Sequence, residues 1–193
     1  MKKLVLIFIL TFSFQTLAKA DDIRDFQIEG ISIGDSLLDF FSEEENKKSL
    51  IASYPNSHKY KRIQIIKHKQ FKTYKAMHLL YLKNDKKKII HSLDAMIEYE
   101  NKIKACLNQR DIILDSIVGM FKDVNIDDQG KRIHNLDKSK KSFVHDVQIK
   151  FINNDRVTIA CFDWSKKMKF KDHLRVSIAN KDFIKWLNNE AYK

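Results

Sequence analysis

The residues of this 193-residue chain best equipped for chemistry are two cysteines, seven histidines and one short acidic run. Cys106 and Cys161 are the only thiols, open to pairing as a disulfide or to lying buried and free. His58, His68, His78, His91, His134, His145 and His173 show no zinc-ligand spacing, such as two on one helical turn. His78, His91 and His145 fall at positions that alternation assigns to inward strand faces, where a hydrogen-bonded core imidazole is expected. Asp123-x-Asn125-x-Asp127 opens like a calcium loop. Its sixth position is Asp128 where glycine is needed for the turn, and its twelfth is His134 where a bidentate glutamate is needed. No metal or cofactor is assigned; a loose cation site in the acidic run is the residual reading.

Ser36 is set in a familiar frame. Gly34-Asp35-Ser36-Leu37 resembles the nucleophile block of the GDSL (SGNH) esterases, and the resemblance implies Ser36 as nucleophile. That family also carries Asp-x-x-His to supply the base that takes the serine proton. None of the seven histidines has an aspartate three residues before it, and His173 follows Asp172 directly. The family's Gly-x-Asn-Asp block is met only by Ile152-Asn153-Asn154-Asp155, without its glycine. Gly30-Ile31-Ser32-Ile33-Gly34 matches a G-x-S-x-G elbow, which needs a strand-turn-helix setting with Asp and His further on. A helix cap at Ser36 accounts for the first motif and a tight turn for the second. Catalysis by Ser36 is the alternative to a non-catalytic binding protein.

The compartment is read from the first twenty residues. Lys2 and Lys3 precede an apolar run from Leu4 to Phe14, and Ala18-Lys19-Ala20 has the small-x-small form a signal peptidase accepts. The run is shorter than the roughly 20 residues a bilayer span takes. Cleavage between Ala20 and Asp21 is expected, leaving 21–193 as one periplasmic or secreted domain with no transmembrane segment. Export in turn favours a disulfide between Cys106 and Cys161.

Losing the three lysines of the signal lowers the net charge from +11 to +8. Of 36 basic residues only six are arginine: Arg24, Arg62, Arg110, Arg132, Arg156 and Arg175. Phosphate sites favour the planar fork of arginine, whereas scattered lysine reads as solvated surface. Export makes nucleic acid an improbable partner for Lys59 to Arg62, Lys67 to Lys69, Lys86 to Lys88 or Lys138 to Lys141. Weak contact with an anionic envelope surface is the alternative reading of those clusters.

Around these residues the pattern predicts an α+β domain: a mainly antiparallel sheet of five or six strands packed with two or three helices. Phe26 to Ile33 reads as an extended entry, followed by a helix opened by Ser36 in capping-box form with Asp39. Strands are expected at Tyr60 to Ile66, Tyr74 to Leu82, Ile89 to Tyr99, Phe143 to Phe151, Val157 to Trp164 and Leu174 to Ile178. Ile89, His91, Leu93, Ala95, Ile97 and Tyr99 are placed on an inward face. Lys102 to Lys122 repeats apolar residues at helical spacing, with Cys106 in line with Ile113, Ile117 and Met120. Cys161 alternates with Val157 and Ile159, so helix and strand can bring the two sulfurs together. Asp123 to Lys141 reads as a long polar loop, and Asn180 caps a last helix burying Phe183, Ile184 and Leu187. Trp164 and Trp186 read as core or rim packing, with an exposed aromatic platform as the sharper alternative.

Ile33 to Phe41, Cys161-Phe162-Asp163-Trp164 and the ending Trp186 to Tyr192 together resemble small exported proteins of marine alphaproteobacteria. The resemblance spans most of the chain after residue 20. It implies a periplasmic or secreted setting and no activity, ligand or catalytic residue. The partner expected is therefore a protein or small molecule of unstated kind.

Overall fold

The computed structural model describes residues 22–52, 54–55 and 58–193. The export segment and its cleavage point at Ala20 and Asp21 lie outside them. Among the described residues the elements run α1 (Glu43–Lys48), β1 (Leu50–Ile51), β2 (Tyr60–Ile66), β3 (Ala76–Leu82) and β4 (Ile90–Glu98). Then come α2 (Ile103–Met120), β5 (Asn125–Ile133), β6 (Phe143–Lys150), β7 (Arg156–Asp163), β8 (His173–Ala179) and α3 (Lys181–Asn189). The strands form one eight-stranded sheet in the order β1-β2-β3-β4-β8-β7-β6-β5. All neighbours are antiparallel, so two four-strand meanders meet where their last strands, β4 and β8, pair.

Because side chains alternate across a strand, the register sorts this sheet into two unlike faces. One row reads Leu79, Leu93, Ile178, Val157, Ile149, and the next Met77, Ala95, Val176, Ile159, Val147. All ten are buried in one apolar cluster. Removing each larger aliphatic side chain from water contributes about 1.5–3 kcal/mol. The interleaved row on the other face reads His78, Asp94, Ser177, Thr158, Gln148. The apolar face is roofed by α2 and by the segment around Ile23, Ile28, Ile31 and Leu37. Glu29 clamps that segment down, its carboxylate accepting backbone N–H bonds from Lys72, Thr73 and Tyr74. On the opposite face α3 covers only one corner, where Phe183 and Trp186 pack on Tyr60, Leu80 and Ala179.

The α+β class and the antiparallel sheet agree with the sequence, but the strand count rises from five or six to eight. Strand β1 is two residues long and carries too little pattern to be read. Strand β5 lies inside the segment expected to be a loop: its residues are polar because it is an edge strand, largely exposed and held along one side by β6. Its backbone bonds substitute for an apolar face. Ser36 opens only a 3-10 turn, Leu37–Asp39, with its hydroxyl accepting from the Leu38 N–H. The reciprocal capping box is made one turn later by Ser42 and Glu45, because glutamate reaches the cap backbone from the third position. A register shift at Leu80/Tyr81 leaves His91 out of the β3 pairing and turns Ile90 inward. The expected inward face therefore holds for Leu93, Ala95, Ile97 and Tyr99 but not for His91, nor for Ile89, which precedes β4 and stands outside the apolar cluster.

Cys106 on α2 and Cys161 on β7 are disulfide-bonded, with 6.0 Å between their Cα atoms. Both are buried, and the bond fixes the roof to the middle of the sheet. No helix among the described residues is long and apolar enough to cross a membrane. Closing the 55-residue loop stabilises the fold by about 4 kcal/mol on the chain-entropy model. Thiol alkylation of the denatured protein should add mass at Cys106 and Cys161 only after reduction; labelling without reductant would contradict the bond.

Candidate functional site

The polar face of the sheet, beyond the corner under α3, holds a half-open cavity of about 600 Å³. Its floor comes from alternate residues of central strands: Arg62 of β2, His78 of β3, Met96 of β4, Phe162 of β7, and His173 and Arg175 of β8. Its walls are loop residues, Trp164 and Phe170 after β7 and His134 and Leu136 after β5. Period-two alternation thus places cations and rings here for the same reason that it places isoleucine and valine opposite.

Rings and guanidinium stack along the floor. Phe162 lies between the His173 imidazole (centroids 4.5 Å, planes 12° apart) and Trp164 (5.8 Å, 12°). The Arg175 guanidinium sits 4.5 Å from the Phe162 ring centre, a cation–π contact that holds the charge over an apolar surface. Trp164 also meets His134 (4.4 Å) and, edge-on, Phe170 (4.9 Å). Leu136 and Phe170 form the lip and are 67% and 56% exposed, unusual for large apolar side chains that have a ring cluster beside them.

The lip is held by a buried carboxylate. Asp137 accepts hydroxyl bonds from Ser139, Ser142 and Ser165, at 2.6, 2.7 and 2.7 Å. These bonds hold its carboxyl well below the usual carboxylate range. They also tie the loop carrying His134 and Leu136 to the loop that follows Trp164. Asp172 fixes the base of the same region, one oxygen accepting from the Trp164 N–H (2.7 Å) and the other from the Asn101 N–H (3.1 Å).

The polar atoms at the cavity are under-satisfied. Among the described residues, five buried side-chain nitrogen or oxygen atoms lack a hydrogen-bond partner, and four of them belong to Arg62, His78, Trp164 and Arg175. All four residues line this cavity. The Arg62 guanidinium rests over the Tyr54 ring (5.8 Å) and donates through Nη2 to the Ala52 carbonyl, leaving its Nε without an acceptor. Neither Arg62 nor Arg175 is in an ion pair among the described residues. His78 Nδ1 stands 4.0 Å from Asp94, and its Nε2 is unpartnered. Burial pushes the His78 imidazole below its ordinary value; Asp94 opposes this, while Arg62, Arg175 and His173 add to it. His173 and His134 are likewise lowered, first by burial. The imidazoles therefore serve as neutral rings near neutral pH, and the arginines carry the charge.

The residues singled out by sequence lie elsewhere, apart from Trp164, His78, His134 and His173. The Ser36 hydroxyl donates to the Lys87 carbonyl at 2.7 Å while accepting from Leu38, and no histidine bonds to it among the described residues. Ser32 is buried and donates to the Phe26 carbonyl. His78 lies on the polar face, not the inward one: both parities of β3 are rich in apolar residues, so alternation alone could not choose. His145 keeps the inward face, across from Cys161, and His91 bonds to Asn180. Asp123, Asn125 and Asp127 run into extended β5, and Asp127 pairs with Lys150. Among the described residues no three His, Cys, Asp or Glu side chains are grouped to hold a metal. Trp186 packs in the core under α3, whereas Trp164 belongs to the cavity. Arg62 and Arg175 were readable only as two of six arginines in a lysine-rich chain.

No protein-family model, no curated protein and no solved structure matches this chain.

Satisfied polar groups stabilise a fold, whereas unsatisfied buried ones cost it. His78→Leu should therefore leave the urea midpoint unchanged or raise it, by up to about 2 kcal/mol in stability. A loss larger than that would show that His78 holds the fold together.

Proposed function

We propose that this is an exported, non-catalytic binding protein whose site is the cavity on the polar face of the sheet. The observation that carries the reading is that four of the five unpartnered buried polar atoms among the described residues belong to side chains that line one apolar-walled hollow. Ligand pockets combine such walls with a few converging polar groups, and their volumes fall within about 300–1,000 Å³. The exposed lip of Leu136 and Phe170 supports the same reading, since both rings and chains of a ligand can pack there.

Export is supported by the Lys2-Lys3 start, the apolar run and Ala18-Lys19-Ala20, and by a disulfide suited to an oxidising compartment. Binding is favoured over ester hydrolysis by Ser36, whose hydroxyl is engaged by backbone on both sides and lacks a basic partner.

Two measurements test this. N-terminal sequencing of the protein recovered from outside the cytoplasm should begin at Asp21, and a retained leader would contradict export by cleavage. Nile red, a neutral polarity-sensitive dye, should brighten with the protein and lose that response in the double variant Leu136→Glu, Phe170→Glu. No brightening, or brightening unchanged in the variant, would overturn the cavity as the site.

A further inference from the structure

We infer that the cavity binds a small amphipathic acid, an apolar chain or ring carrying one carboxylate or phosphate head. The inference rests on the cavity reading above and names its ligand class.

The side chains that own the unpartnered atoms, all lining the cavity, set the chemistry of the head. Arg62 Nε, Arg175 Nε and Trp164 Nε1 can only donate hydrogen bonds, so three of the four orphaned atoms at the site call for acceptors. A carboxylate or phosphate offers several acceptor lone pairs and matches the planar fork of arginine. An ammonium head offers none, and an alcohol oxygen offers two, fewer than the three donors. Charge agrees with this count. Arg62, Lys75, Lys171 and Arg175 line the cavity against Glu98, with Asp94 beside His78. Glu98 and Glu100 share Lys171 and Asp94 stands beside a neutral His78, so the surroundings keep a net charge of +1. The two arginines and Lys75 are the cations outside those ion pairs among the described residues.

The remaining walls set the chemistry of the body. Met96, Phe162, Trp164, Phe170 and Leu136 extend from the arginines to the open lip. Apolar area of this kind favours a hydrocarbon or aromatic body, because both surfaces leave water on binding. Arg175 over Phe162 marks the junction, charge above and ring beneath.

Calorimetric titration of the purified, disulfide-bonded protein with ten-carbon ligands below their micelle concentrations tests the inference. Decanoate, decyl phosphate, decanol, decylammonium and acetate serve as probes. At least one of the two acids should bind about tenfold or more tighter than decanol, with decylammonium weaker still and acetate undetected. Whichever acid binds tighter identifies the head as carboxylate or phosphate. Arg175→Gln, and separately Arg62→Gln, should shrink the acid-over-alcohol preference while near-UV circular dichroism stays unchanged. Equal binding of all four chains would overturn the acid head while leaving the cavity as a binding site. Preference for decylammonium would overturn it by inversion, and no binding by any chain would overturn the acid and the cavity reading together.

Discussion

A single sheet has two faces, and among the described residues one long helix is present to cover them. That constraint organises everything else. Alternation sends Leu, Ile, Val, Met and Ala to the face under α2, and sends Arg62, His78, Asp94, Ser177 and Arg175 to the other. The buried face supplies the apolar stabilisation. The disulfide from α2 to β7 ties its roof to the strand that also carries Phe162, so the cavity floor inherits the rigidity of the core beneath it.

The exposed face is unlike an ordinary solvated one. A solvated face satisfies its charges with water and neighbouring ions, as Lys150 and Asp127 do toward the β5 edge. Toward the centre the pattern changes: Arg62 and Arg175 lie against rings, and their Nε atoms are buried without acceptors. Stability alone gives no reason to keep such atoms. Binding does, because donors fixed before the ligand arrives lose little entropy when it does. The Asp137–serine network and Asp172 fit the same account, since both order loops that contribute little to the core but carry His134, Leu136 and Trp164.

Much of the sheet was legible in the sequence, because six of its strands carry apolar, β-forming runs bounded by turn residues and one helix keeps its period. The rest was hidden for physical reasons. Strand β5 is made by backbone pairing at an edge and needs no apolar face, so its polar residues read as a loop. The face of His78 was ambiguous because β3 is apolar on both sides, one side for the core and the other partly for α3. The cavity was the least legible feature. Arg62, His78, Phe162 and Arg175 sit on four different strands, and only the register brings them together. The cysteine pair was readable because the face of each cysteine could be assigned from its own element.

The most direct measurement is the structure of the protein with decanoate bound. The account expects the carboxylate within hydrogen-bond reach of Arg175 or Arg62, about 2.7–2.9 Å, with the chain running over Phe162 and Trp164 toward Phe170. A decanoate seated elsewhere, for instance in the groove that α2 forms with Phe26 and Tyr74, would contradict it.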